Sequence, residues 1–289
     1  MLKVGVGLAG YVNICVQGAR GIREYLFNNA FVDTGLAAMS GAWDNDRGYT
    51  PNRLHLGSGR FEGGDHTATD LVQQRHQVNL SRVGTTPQVG SDTLVVTDKF
   101  TSGRTAKGTA WVLREFGSSW TDVSGLITYS QLRDSQGTPT EIQLDETDVV
   151  TFTYYFQYIY PIRYEGTMQW ESAGEVEEVP YTFSLGVGES PDLTRWTGGA
   201  LLNYRYGITL YSGEFGTGGE AAVLLSYPFR FSEAAAIGTW RSFYVRANQP
   251  DLSMGFTFSR PLTKTNTQTL EISVEWELIN ATPVPVPEA

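Results

Sequence analysis

Two stretches of this chain alternate so strictly that only a half-exposed sheet can bury them. Across 149–161, Val150, Phe152, Tyr154, Phe156, Tyr158 and Tyr160 fall on one face. Across 270–279, Leu270, Ile272, Val274, Trp276 and Leu278 do so, against Glu271, Ser273, Glu275 and Glu277. Side chains change sides at every residue of a strand, whereas a helix returns to one face every 3.6 residues. Both runs are therefore read as strands. Each is also led in alike, by SQLRDSQGTPT before the first and SRPLTKTNTQT before the second. A repeated ending predicts repeated units. The expectation is an all-β fold of two tandem β-sandwich or jelly-roll-like units, 1–162 and 163–280, with a proline-rich tail at 281–289.

Composition agrees with that class. The 289 residues include 15 Tyr, 14 Phe, 7 Trp and 32 Gly. Aromatic residues favour strands and glycine favours the turns between them. The net charge of -10 argues against a nucleic-acid partner, because that affinity rests on Lys and Arg neutralising phosphates. It also repels an anionic membrane surface, and no run of 18 apolar residues suggests insertion. The start, MLKVGVGLAGYVNICV, lacks the pattern of a secretion signal, which points to synthesis in a cytoplasm. The single cysteine, Cys15, excludes an internal disulfide and reads as a plain core thiol.

Along the chain, Val4–Val16 reads as an opening strand or hairpin and Gly18–Gly21 as a turn. Tyr25–Met39 is the best short helix. Arg53–Leu56 is a short strand before the glycine-rich GSGRFEGGD, Asp70–Gln74 a further helical turn, and Gly117–Trp120 a turn. The tail PVPVPEA is either an extended surface strap or disordered, since proline cannot join a sheet interior.

Motifs that could carry chemistry each have a plainer reading. Gly5-Val6-Gly7-Leu8-Ala9-Gly10 spells a dinucleotide fingerprint, but no helix follows to receive a pyrophosphate, so close strand packing is expected. Asp44-Asn45-Asp46-Arg47-Gly48 opens like a calcium loop but has His55 at the twelfth position, so a polar turn is expected. His55, His66 and His76, with Asp65 and Asp70 among them, lack zinc spacing. Gly57-Ser58-Gly59 is no nucleophile elbow. Glu171, Glu175, Glu177 and Glu178 read as a solvated loop. Tyr154, Tyr158 and Tyr160 face the core, a partner subunit, or a sugar. No catalytic, cofactor-binding or metal-binding residue is assigned, no cofactor is expected, and the chain is not read as an enzyme.

Three stretches carry a resemblance: GLAGYVNICVQGARGIREYLFNNAFVDTGL, LHLGSGRFEGGDHTATDL and SQLRDSQGTPTEIQLDETDVVTFTYYFQYIYP. In these the first 160 residues resemble a family of tailed-bacteriophage virion proteins, described as tail fibre or minor structural proteins. The resemblance implies a structural component of a tail fibre, tail tip or baseplate appendage, or else of a collar, neck or head-attached fibre. Its location would be the virion. Its partners would be copies of itself, a trimer if it sits on a fibre, and other virion proteins. The chain departs from the pattern after Pro161, where the second unit is a further assembly module or one that reads a host glycan or receptor, with exposed Trp196 and Tyr211 as test positions. A polysaccharide depolymerase is the remaining alternative.

Overall fold

The computed structural model describes residues 2–43, 51–106, 110–120, 125–172, 175–187, 214–218, 222–231, 238–247 and 252–285. The chain opens with a hairpin of β1 (Leu2–Gly18) and β2 (Gly21–Phe31), then α1 (Asp33–Trp43). Next come β3 (Arg53–Gly57), a 3-10 turn at Asp65–Thr67, β4 (Gln74–Asn79), β5 (Ser81–Val89) and β6 (Thr93–Ala106). β7 (Trp111–Leu113), β8 (Glu115–Ser119), β9 (Thr128–Gln131), β10 (Ile142–Leu144) and β11 (Val149–Pro161) follow. The second half holds β12 (Arg163–Ser172), β13 (Glu175–Val187), β14 (Glu214–Gly218) and β15 (Ala222–Phe231), then β16 (Gly238–Ala247), β17 (Leu252–Lys264) and β18 (Leu270–Asn280). The all-β class holds: among the described residues strands dominate and one short α-helix accompanies them. No helix among the described residues is long and apolar enough to cross a membrane.

β1 organises the fold. It pairs antiparallel with β11 over Gly7–Gln17 and with β2 over Gly10–Gly18. It pairs parallel with β18 over Leu2–Leu8. Gly7 and Leu8 meet β11 and β18 at once, so these two strands flank opposite edges, and β2 takes over the β18 edge where β18 stops. The two similar endings thus clasp the same strand. β18 also pairs with β15, and α1 lies against β15. The larger sheet therefore crosses residue 162 and is built from both ends of the chain. β12, β13, β17 and β16 form a separate four-stranded sheet.

Alternation decides which side chains are buried. Val6, Leu8, Val12, Ile14 and Val16 of β1 and Val150, Phe152, Tyr154 and Phe156 of β11 face a core that continues through Phe183 and Phe256. Tyr11, Asn13 and Cys15 therefore take the outer face. Cys15 is half-buried there rather than the plain core thiol expected. The helix expected over Tyr25–Met39 is corrected to a strand through Phe31 and a helix from Asp33. Phe27, Asn29 and Phe31 are buried and alternate. Asn28 and Asn29 are poor helix formers, so pairing with β1 prevails, and Asp33 suits the first turn of a helix. The turns expected at Asp70–Gln74 and Gly117–Trp120 are replaced by a loop entering β4 and by β8.

Candidate functional site

An open groove of about 930 Å³ runs from β2 past the 3-10 turn to residues 280–283. Its walls include Asn28, Asp65, His66, Gln131, Arg133 and Asp134. Arg133 Nη2 lies 3.9 Å from Asp65 Oδ1 and donates to Gln131 Oε1 at 3.2 Å. Burial pushes the Asp65 carboxyl above its ordinary range, opposed by the Arg133 charge. Asp134 belongs to a tight turn. Its Oδ1 accepts from Gln136 N and Thr138 N, both at 2.9 Å, and Gly137 takes φ 77°, which suits glycine. The DSQGTPT stretch is thus a turn that sets one wall of the groove.

Beside it a buried carboxylate builds the glycine-rich loop. Glu115, fully buried on β8, accepts from Gly59 N at 3.0 Å, Gln73 N at 2.8 Å, Val72 N at 3.1 Å and Tyr129 Oη at 2.9 Å. A buried charge needs such partners, and four donors meet that need. A Cβ on Gly57 or Gly59 would collide with the Glu115 carboxylate. Gly57-Ser58-Gly59 is therefore the cradle of a structural acid, and Ser58 Oγ donates to Gln73 Oε1 at 2.7 Å.

The remaining sequence candidates do not converge. His55, on β3, meets Gln74 Oε1 at 3.0 Å and Ser119 Oγ at 2.7 Å, and burial lowers its pKa. It is thus a partly buried strand residue. His66 sits on the 3-10 turn, and His76 packs its ring 5.2 Å from Trp111. Asp70 accepts from Leu71 N at 2.8 Å. Among the described residues no group of three or more His, Cys, Asp or Glu could hold a metal ion. Glu175, Glu177 and Glu178 are exposed, but on strand β13 rather than in a loop; the hairpin partner β12 fixes them there. Tyr154 and Tyr160 are in the core, so they form no sugar platform. The Tyr154 hydroxyl sits 2.8 Å from Asn29 Nδ2, which donates to it. Asp44–Gly48, Trp196 and Tyr211 lie outside the described residues.

The outer face of the β2, β1 and β11 layer carries groups that sequence reasoning did not single out. Tyr11 and Tyr155 stack with centroids 4.4 Å apart, and Lys99 Nζ sits 5.6 Å from the Tyr155 ring centroid. Next to them, fully buried Gln157 donates Nε2 to Val284 O at 2.6 Å and accepts from Val284 N at 2.8 Å. Asn280 does the same to the Phe31 backbone, at 3.0 Å and 2.8 Å. Ala281 N donates to Leu8 O at 2.9 Å. Of the two readings of the tail, residues 281–285 follow the strap. One fingerprint glycine belongs to this packing, since a Cβ on Gly7 would press on Ala281, while one on Gly10 would strike the Asn29 amide on the core face. A single amide inside FTYYFQYIYP was the visible signal, because a buried glutamine must find partners.

No family model, curated protein or solved structure matches the chain.

Proposed function

We propose that the protein is a structural component of a tailed-bacteriophage virion, in a tail fibre, tail tip or baseplate appendage, and that it acts by subunit assembly. The observation that carries this reading is the outer face of the opening hairpin. Ile22 and Leu26 are 67% and 64% exposed there, on the same side of β2. Large apolar side chains grouped on an exposed sheet mark interaction surfaces. The open edge of β5, which pairs with β6 alone among the described strands, adds Val83 and Val89, 60% and 70% exposed. A bulge near Gly84 and Pro87 on β5 blunt indiscriminate edge pairing, as in strands kept for specific contacts. Three stretches resembling virion proteins support the same reading, since the second and third build a loop cradle and a turn rather than a reacting centre. The assembly reading predicts a symmetric homo-oligomer, a trimer on a fibre. Sedimentation of the wild type against Ile22→Glu/Leu26→Glu tests it. A trimer that the double variant dissociates supports it, and a monomeric wild type overturns it.

A second reading, host-glycan recognition, draws on the groove. Arg133, Asp65 and side-chain amides around 930 Å³ offer the mixed donors and acceptors that sugar hydroxyls use. Glycan-array binding lost in Arg133→Ala supports it, and an array with no signal excludes it.

A further inference from the structure

We infer that the outer face around Gln157 is a recognition site for an extended Pro-Val-Pro segment, and that in an assembly this segment is the C-terminal tail of a second copy. The tail of the chain itself shows the chemistry. Val284 is held through its backbone N–H and C=O by one side-chain amide, as a neighbouring strand would hold it. Proline on either side suits this mode. It removes the N–H groups that would need partners and keeps the segment extended, so little conformational entropy is lost on docking. Pro283 and Pro285 line a hollow of about 330 Å³ with the Tyr11 and Tyr155 rings.

The site stands on groups independent of the tail. Gln157 projects from β11, is positioned by Thr97 Oγ1 at 3.2 Å, and is fixed in register with Ala9 of β1. Among the described residues the tail is bound in turn by few polar contacts, through Ala281 and Val284. An element held this way exchanges between identical subunits at low cost, because each copy regains the contacts it gives up. Residues 281–284 span about 13 Å when extended, so the exchange requires the second copy's Gln157 to lie within that reach of the end of β18.

Complementary full-length variants test the exchange. Val284→Pro removes the N–H that Gln157 receives and leaves a free site with an incompetent tail. Gln157→Leu leaves a competent tail with a broken site. Sedimentation and fluorescence anisotropy of the two, mixed, are expected to show a hetero-complex that neither forms alone. Val284→Pro/Gln157→Leu in place of Val284→Pro weakens it at least tenfold. Ala281→Trp, which cannot pack on Gly7, frees the site by a second route and should substitute for Val284→Pro should that variant fail to fold. A mixture that behaves as the sum of its folded components, by either route, overturns the proposal. Because this readout does not depend on the Ile22 and Leu26 surface forming a trimer, it fails separately from the assembly reading.

Discussion

At the scale of single residues, Glu115 is the most demanding position. Its fully buried carboxylate satisfies three backbone N–H groups and the Tyr129 hydroxyl. Glu115→Ala strands those donors, and the expected loss is about 3–5 kcal/mol, read from denaturant unfolding. Glu115→Gln retains an acceptor and should lose less. His55 sets a pH dependence. Its folded pKa lies below the ordinary 6.5, chiefly through burial, so the folded state binds fewer protons than the unfolded one. Its contribution is complete above 6.5 and is lost as pH falls from there through the lowered folded value. His55→Gln should flatten that part of a thermal-melting profile, and an unchanged profile would remove His55 from the explanation. Neither role was legible in sequence. Glu115 follows Arg114 and resembles any charged strand residue, and only folding brings Gly59, Gln73 and Tyr129 around it.

Elements were legible where alternation was strict. The β11 and β18 strands are marked by their own side chains, and both form as expected. The Tyr25–Phe31 stretch is the instructive failure. Its apolar residues fit either period, and what decides is pairing with β1, a partner more than ten positions away in sequence. The acidic end of β13 failed for a different reason: its partners on β12 lie within ten positions, but a run of glutamates carries little strand preference of its own. Non-local pairing also makes Asn280 informative, since its amide closes the gap where β18 ends beside Phe31. Asn280→Ala is expected to cost about 1–2 kcal/mol and to speed hydrogen exchange at the Phe31 amide, while amides in the β12–β13 hairpin remain as they were. Equal acceleration in both places would show a global effect instead of a local clasp.

Over the whole molecule, the two ends of the chain meet on one strand. The sequence repeat suggested two units in series, and nothing in either ending says that both will flank β1. Leu278 is almost fully buried where β18 meets both β1 and β15. Leu278→Ala should therefore cost about 2–5 kcal/mol and should lower protection in the opening hairpin as well as in β18. A molecule closed in this way, with apolar side chains kept on an outer sheet face, suits a subunit that assembles with neighbours. The direct test of that central reading is immunogold labelling of intact phage particles with an antibody against this chain. The account predicts label at the distal end of the tail, on fibre, tip or baseplate. Particles that carry no label anywhere would contradict it.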